Sequence, residues 1–104
     1  MLLALLVILS VSIARSSTGN VNENHCAADG IQLYGDVKVV EHFADLKVKV
    51  VESFPDLKVK VVESFPDSCG KWRIVESFPD FTVKFVNSFP DIEIEFVNSF
   101  PGIP

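Results

Sequence analysis

The 104-residue chain contains 48% hydrophobic and 22% charged residues, which is the composition of an ordinary folded domain and not of a disordered tail. Its length predicts one domain. Its formal net charge of -5 argues against a nucleic-acid-binding protein, because neutralising a phosphate backbone requires a net basic surface.

The chain begins with an apolar segment typical of a secretory signal. Leu2–Leu9 is uninterrupted, and no charged side chain precedes Arg15. A membrane span would need about 20 apolar residues, so this run is too short. Ser12 and Ala14 are small residues at the positions that signal peptidase reads. We therefore predict a signal peptide over residues 1–14, cleaved after Ala14, and a periplasmic or extracellular mature protein without a membrane span. The alternative is an uncleaved anchor or a buried helix, since no Lys or Arg precedes the apolar run.

Residues 15–34 form an irregular segment that is predicted to cap the repeats that follow. This segment contains Cys26, and the second cysteine, Cys69, lies within the repeats. In an oxidising compartment the natural prediction is a Cys26–Cys69 disulfide. Two free thiols are the alternative, because the sequence does not show whether the two residues are close.

Residues 35–104 repeat an eleven-residue unit about six times, and each unit contains one phenylalanine. Successive phenylalanines are 11, 11, 13, 11 and 11 residues apart. They are Phe43, Phe54, Phe65, Phe78, Phe89 and Phe100. The two extra residues of the fourth unit, near Ser68 and Cys69, predict a loop that leaves the array.

Apolar residues recur six and four positions before each phenylalanine, as Val48 and Val50 do before Phe54. This spacing predicts a strand with one buried face, and the β-branched content with repeated prolines excludes a helix. A further apolar residue follows, as in Val50-Val51, and a straight strand would then bury Glu52. We therefore expect a bend at this step that keeps both apolar residues inside.

These units predict an all-β protein, specifically a short β-solenoid of about six eleven-residue coils. Equivalent residues of consecutive coils would then stack about 4.8 Å apart. The alternative is an antiparallel β-meander, in which each unit is one strand and Phe-Pro-Asp forms the hairpin. A meander would leave one apolar face bare.

The repeat segment Asp45–Ser53, with its sequence Asp-Leu-Lys-Val-Lys-Val-Val-Glu-Ser, resembles an uncharacterised bacterial family of short exported repeat proteins with Asp-Leu-Lys-Val type units. The similarity covers residues 35–103, and the Lys71-Trp72 pair is its most specific part. This chain carries Lys or Glu where the family tends to Tyr, and Phe-Pro where it tends to Gln-Ala. The resemblance implies a repeat fold and a bacterial origin, and it implies no activity.

No catalytic or metal-binding pattern stands out. A serine precedes the phenylalanine in five units, and this repetition indicates turn formation. His42 and Ser53 would be neighbours in a solenoid, but no third residue is set apart to orient the imidazole. Side chains that could bind zinc are those of His25, Cys26, His42 and Cys69, but their spacing matches no zinc motif. The repeated aspartates could bind calcium, but their spacing matches no calcium-binding motif. These aspartates are Asp45, Asp56, Asp67, Asp80 and Asp91. We therefore expect no enzymatic activity, no metal and no cofactor.

The residues between the apolar positions are predicted to face solvent and to form a basic strip. The strip consists of Lys47, Lys49, Lys58, Lys60, Lys71, Arg73 and Lys84. Such a strip either keeps the protein soluble or binds an acidic polysaccharide or lipid headgroups. Our leading hypothesis is an exported, non-catalytic structural or interaction module that binds a macromolecular partner or itself. The alternative is a polyanion or acidic-ligand binder that uses the strip.

Overall fold

The computed structural model describes residues 21–22 and 25–104, so the predicted signal segment lies outside the described residues. The described part of the chain is all-β, which confirms the predicted class. A small antiparallel sheet comprises β1 (Val21–Asn22), β2 (Ala27–Ala28) and β3 (Ile31–Gln32). A closed barrel comprises β4 (Gly35–Val39), β5 (Leu46–Val50), β6 (Leu57–Val61), β7 (Lys71–Ile74), β8 (Phe81–Phe85) and β9 (Ile92–Phe96). Within the described ranges no helix is long and apolar enough to cross a membrane.

The barrel strands are all parallel, and their order around the barrel is β4, β7, β6, β9, β5, β8. A solenoid would pair each unit with the next unit in the sequence, whereas here only β6 and β7 are both consecutive and paired. A meander would make the strands antiparallel. The predicted solenoid and its meander alternative are therefore both wrong in topology, and a closed parallel barrel replaces them.

The pairing register is the same at each strand interface when Gly70, the residue before β7, is counted as the first position of that strand. The third residue of one strand lies opposite the first residue of its neighbour, as in Val37 with Phe81 and Val48 with Ile92. An offset of two residues keeps side chains on the same face of the sheet, since side-chain direction alternates with period two. Equivalent positions of the six strands therefore form rings around the barrel axis.

The two-residue insertion has a topological cause. From β4 to β5 and from β5 to β6 the chain moves two places around the barrel, so these strands occupy alternate positions. Another step of two places would return the chain to β4. The longer loop instead leads to the adjacent position, where β7 begins a second circuit, and β8 and β9 fill the remaining gaps.

The barrel interior is filled by two rings of side chains. The first ring contains Leu46, Leu57, Phe81 and Ile92, together with Gly35 and Gly70, and the second contains Val37, Val48, Val59, Trp72, Val83 and Ile94. The apolar members are between 0 and 3% exposed. Burying each such side chain stabilises the fold by about 1.5–3 kcal/mol. The indole of Trp72 packs edge-on against Phe81 with ring centroids 5.7 Å apart, and its Nε1 donates to the Leu33 carbonyl at 3.1 Å.

One predicted core position is wrong. The residues four before each phenylalanine, such as Val50, are 40–50% exposed. The expected bend does not bury both members of the apolar pair, because each strand simply reaches the end of the barrel at this residue. The core column that the sequence reading missed lies eight residues before the phenylalanine, as Leu46 does before Phe54.

The predicted disulfide between Cys26 and Cys69 is confirmed, with a Cα–Cα distance of 5.9 Å. Cys26, Ala28 and Leu33 belong to the same buried cluster as the barrel interior. The N–H of Gly70 donates to the Leu33 carbonyl at 3.1 Å. The N-terminal segment is thus fixed at the end of the barrel where the strands begin.

Candidate binding surface

Five chain segments cross the outside of a barrel strand, and we call them arches. The first arch, residues 40–45, joins β4 to β5 across β8, which lies between them. The N–H of Val40 donates to the Val83 carbonyl at 2.9 Å, and the N–H of Asp45 donates to the Thr82 carbonyl at 3.1 Å. The other arches are residues 51–56 over β9, 75–80 over β4, 86–91 over β5 and 97–102 over β6.

An aspartate ends four of the arches and binds the crossed strand at two points. The N–H of Asp56 donates to the Glu93 carbonyl at 2.8 Å, and the N–H of Glu93 donates to Asp56 Oδ2 at 2.8 Å. Asp45, Asp80 and Asp91 repeat this pattern on Thr82, Asp36 and Lys47. In the last arch the carbonyl of Gly102 accepts the N–H of Lys58 at 2.8 Å in place of a carboxylate. The aspartates considered for calcium therefore fix the arches to the strands.

The six phenylalanines form a belt around the barrel, which we call the phenylalanine belt. Five of them lie in arches, and Phe65 lies in the loop between β6 and β7. The exposed fraction runs from 77% at Phe65 to 101% at Phe43. The backbone φ of all six lies between 51° and 57°. Because the strands are equivalent in register, equivalent loop residues lie around the whole barrel.

The conformation of the belt is unfavourable for a bulky aromatic residue. A positive φ is tolerated by glycine and asparagine and is an outlier for phenylalanine. Full exposure also forgoes the hydrophobic stabilisation that an aromatic ring normally supplies. In the sequence these residues align the units, and their exposure as a belt is not predicted. Its signal was the recurrence of an aromatic residue at a position that is predicted to be a turn.

A second apolar surface lies at the end of the barrel where the strands finish, and we call it the apolar mouth. It consists of the last residue of each strand: Val39, Val50, Val61, Ile74, Phe85 and Phe96. These positions share the inward face with the first and third residues of the strands. The rings of Phe85 and Phe96 lie 6.4 Å apart although β5 separates their strands, which agrees with side chains that converge on the axis.

The predicted basic strip is divided around the barrel. Its residues lie on β5 and β8 in one pair of adjacent strands and on β6 and β7 in another. Between β5 and β6 lies β9, whose Glu93 and Glu95 are opposite Lys49 and Lys58. The strip residues Lys47 and Lys84 are opposite each other, and so are Lys60 and Lys71. On the other side of the barrel β4 lies between β8 and β7, and it carries the acidic Asp36 as well as Lys38. The strip residues therefore form two groups, on β5 with β8 and on β6 with β7, which we call the basic patches.

Arg73 is engaged in an ion pair with Asp36 of the neighbouring strand. Its Nε donates to Oδ1 at 2.7 Å and its Nη2 donates to Oδ2 at 3.0 Å. The hydrogen bond from Arg73 lowers the pKa of the Asp36 carboxyl below its usual value. The same hydrogen bond raises the pKa of Arg73. Part of the positive charge in the predicted strip is therefore neutralised within the barrel.

The other candidate residues do not come together. His42 and Ser53 lie on arches over β8 and β9, which β5 separates. Cys26 and Cys69 are joined to each other, so neither thiolate is available to zinc. In the described ranges no group of three or more His, Cys, Asp or Glu side chains could hold a metal ion.

A half-open pocket of about 440 Å³ lies where the N-terminal segment meets the barrel. It is lined by Gly30, Ile31, Gln32, Tyr34, Gly35, Pro66, Asp80 and Phe81. Asp80 Oδ2 accepts the N–H of Asp36 at 2.8 Å, so this carboxylate already has a structural role. A side chain at Gly35 would collide with the same carboxylate, which explains glycine there. The pocket thus forms around an arch contact.

The path of the chain around the barrel is interlaced. Arches from the first circuit cross β8 and β9 of the second circuit, and later arches cross β4, β5 and β6. Mutual crossing of this kind entangles the two circuits. A search of the curated proteins finds no match to this sequence. Residues 30–104 match the 7(1) septoil knot domain, which is more than half of the chain. The chain therefore belongs to the septoil knot domain family.

Proposed function

We propose that this protein is an exported, non-catalytic interaction module whose phenylalanine belt contacts a macromolecular partner or another copy of the chain. The observation that carries this proposal is the combination of positive φ and nearly complete exposure at all six phenylalanines. Export is supported by the apolar N-terminal segment and by the disulfide, because disulfides persist in oxidising compartments. The bacterial origin implied by the sequence resemblance stays a prediction.

Folding alone does not account for the belt. Residues held at an unfavourable φ destabilise a fold by about 1–3 kcal/mol each. Glycine or asparagine would fit the same backbone without exposing a ring. Exposed apolar surface on a protein with a filled core marks contact with a partner or a membrane. Aromatic side chains are also the residues that contribute most to protein interfaces.

Site-specific photo-crosslinking in the producing cell tests this proposal. A photoreactive amino acid at Phe89 should give a discrete covalent adduct, whereas the same group at the exposed His25 of the N-terminal segment should not. Phe54→Asn and Phe100→Asn change the arches over β9 and β6, near the Phe89 arch over β5. Together they should reduce the adduct. Equal labelling at Phe89 and His25 would contradict a role for the belt.

The polyanion-binding alternative is favoured by the like-charged neighbours in the two basic patches. Lys47 faces Lys84 and Lys60 faces Lys71, and such pairs are destabilising unless an anion neutralises them. Binding to a heparin-like resin should then fall steeply with salt and should be lost in a Lys49→Glu, Lys60→Glu variant. Passage through the resin at low salt would rule out this alternative.

A further inference from the structure

We infer that two copies of the chain associate face to face through the apolar mouth. This inference rests on the proposed interaction role and names a second copy as the occupant of one surface. The six mouth residues are between 40 and 50% exposed, while the ring beneath them is fully buried. The mouth is thus the exposed end of a continuous apolar column, and it is distinct from the phenylalanine belt.

The opposite end of the barrel is already occupied. Cys26, Ala28 and Leu33 pack into the core there, and the disulfide holds this segment in place. The closed barrel also has no edge strand that another chain could extend. At the barrel, association between copies must therefore use side-chain surfaces, and the mouth is the apolar surface formed by adjacent strands.

The mouth has an aromatic side and an aliphatic side. In order around the barrel its residues are Val39, Ile74, Val61, Phe96, Val50 and Phe85. Both phenylalanines flank Val50, whereas the opposite half contains only Val and Ile. A two-fold axis in the plane of the mouth can place the aromatic half of one copy on the aliphatic half of the other. Large side chains then meet small ones, which is the condition for close packing.

The charged residues beside the mouth favour the same orientation. Glu41, Glu63 and Glu76 each follow the aliphatic half by two positions along the chain. The equivalent residues of the aromatic half are Asn87, Asn98 and, after Val50, Glu52. The two-fold arrangement therefore brings a side with three carboxylates opposite a side with one carboxylate and two amides. The reverse arrangement would place the three carboxylates of one copy against the three of the other, which is more repulsive.

The area of the mouth predicts a weak dimer. Six aliphatic and aromatic side chains with these exposures present on the order of several hundred Å², a size at which patches on monomers are often functional. Two mouths with their surroundings would bury on the order of 1,000 Å² in total, near the lower limit for specific interfaces. The net charge of -5 on each copy opposes contact, so added salt should strengthen the dimer.

Sedimentation equilibrium on the chain recovered from the exporting cell tests the dimer over a roughly hundredfold range of concentration. The average mass should rise from monomer towards dimer. Phe85→Asn with Phe96→Asn should weaken association by at least about tenfold, since both rings lie in the contact. Phe54→Asn with Phe89→Asn is the matched control, because it removes two rings from the belt and leaves the mouth unchanged. This control should associate as the unmodified chain does.

Methyl NMR on the same samples locates the contact. Methyl shifts of Val39, Val61 and Ile74 should change with concentration, while those of Leu46, at the other end of the barrel, should not. If the aromatic double variant does not fold, Val39→Thr with Ile74→Thr provides a second disruption of the mouth at side chains that are 40% and 46% exposed. This variant should also be monomeric.

A monomeric mass for the unmodified chain throughout the range would overturn the inference and leave the role of the belt intact. Association that survives the mouth substitutions and disappears in the belt variant would also overturn it. That second result would support the proposed function, because the copies would then meet through the belt. Failure of the inference is therefore distinguishable from failure of the proposed function.

Discussion

Val48 and Val50 lie two residues apart on β5, and the first belongs to the core while the second belongs to an exposed apolar surface. Val48 is fully buried in the second ring of the core, and Val50 is 47% exposed at the mouth. Both side chains point inward because they occupy alternate positions of β5. The difference comes only from their position along the barrel axis, which a single repeat unit does not encode.

This pair allows a matched stability test. Val48→Ala removes fully buried methyl groups and should lower the free energy of unfolding by about 2 kcal/mol. Val50→Ala should lower it by less than about 1 kcal/mol, since half of its surface already contacts solvent. Urea denaturation of both variants measures the difference. Equal losses would contradict the assignment of Val50 to an open end.

The Asp36–Arg73 pair predicts a pH dependence. The folded pKa of Asp36 is lowered, so its ion pair contributes stability above the unfolded pKa, and this contribution is lost as the pH falls through the folded pKa. In an NMR titration the Asp36 carboxyl should titrate below its ordinary value of 3.8. Arg73→Gln should return it towards that value. An unchanged titration in Arg73→Gln would show that the pair does not set the pKa.

At the scale of elements, four of the five arches are fixed to the strand that they cross by the carboxylate of an aspartate as well as by backbone hydrogen bonds. The two-point contact of each terminal aspartate uses one backbone N–H, one carbonyl and one carboxylate. Hydrogen bonds to a carboxylate are stronger than neutral ones. The Pro-Asp pair thus directs the chain from the arch into the next strand and fixes it to the strand that it crosses.

Removal of one such carboxylate tests this role. Asp56→Ala leaves the N–H of Glu93 without its acceptor and should lower the free energy of unfolding by about 1–3 kcal/mol. Asp67 also follows a proline, but it lies exposed in the loop before β7, where its carboxylate accepts no hydrogen bond from the residues that the structure describes. Asp67→Ala is therefore the control and should change stability by less than about 0.5 kcal/mol. A similar loss in both variants would contradict the two-point contact.

The elements themselves could largely be predicted from the sequence. The period-two pattern identified strands, and the column that contains Val37 and Val48 is buried as expected. The column that contains Val39 and Val50 was misassigned because local periodicity does not indicate where a barrel ends. The predicted disulfide also followed from local features, since Cys69 lies in the only unit with an insertion.

Pairing could not be predicted in the same way. The units are nearly identical, so the sequence pattern does not indicate that β4 pairs with β8 and not with β5. The insertion before β7 was recognised as a loop, but its topological role depends on closing the barrel. The prediction of a basic strip rests on the stacking of consecutive units. In the structure β9 lies between β5 and β6, so the strip is interrupted there.

For the whole molecule, the pairing order explains the charge pattern of the last unit. Glu93 and Glu95 replace the lysines of earlier units, and they face Lys49 and Lys58 on the two adjacent strands. Opposite charges across parallel neighbours stabilise a sheet, whereas lysines there would repel. β9 therefore closes the barrel and also places opposite charges beside the lysines of β5 and β6.

The disulfide should stabilise the whole molecule. Cys26 and Cys69 are separated by 43 residues, and cross-links that close loops of this length typically contribute about 2–4 kcal/mol. Cys26→Ser with Cys69→Ser should lower the free energy of unfolding by that amount. Mass measurement of the recovered protein after thiol blocking should detect no free thiol. Two labelled thiols would show that the bridge does not form in the cell.

The unfolding free energy of a belt variant tests the central claim most directly. Phe54→Asn, Phe78→Asn and Phe89→Asn together replace three exposed rings that have positive φ. Because asparagine tolerates this conformation, stability should be unchanged or raised by up to about 1 kcal/mol per site. Phe81→Asn, at a ring that is 3% exposed, is the control and should be strongly destabilising. A loss of about 2 kcal/mol or more per belt site would mean that the rings stabilise the fold and are not kept for contact with a partner.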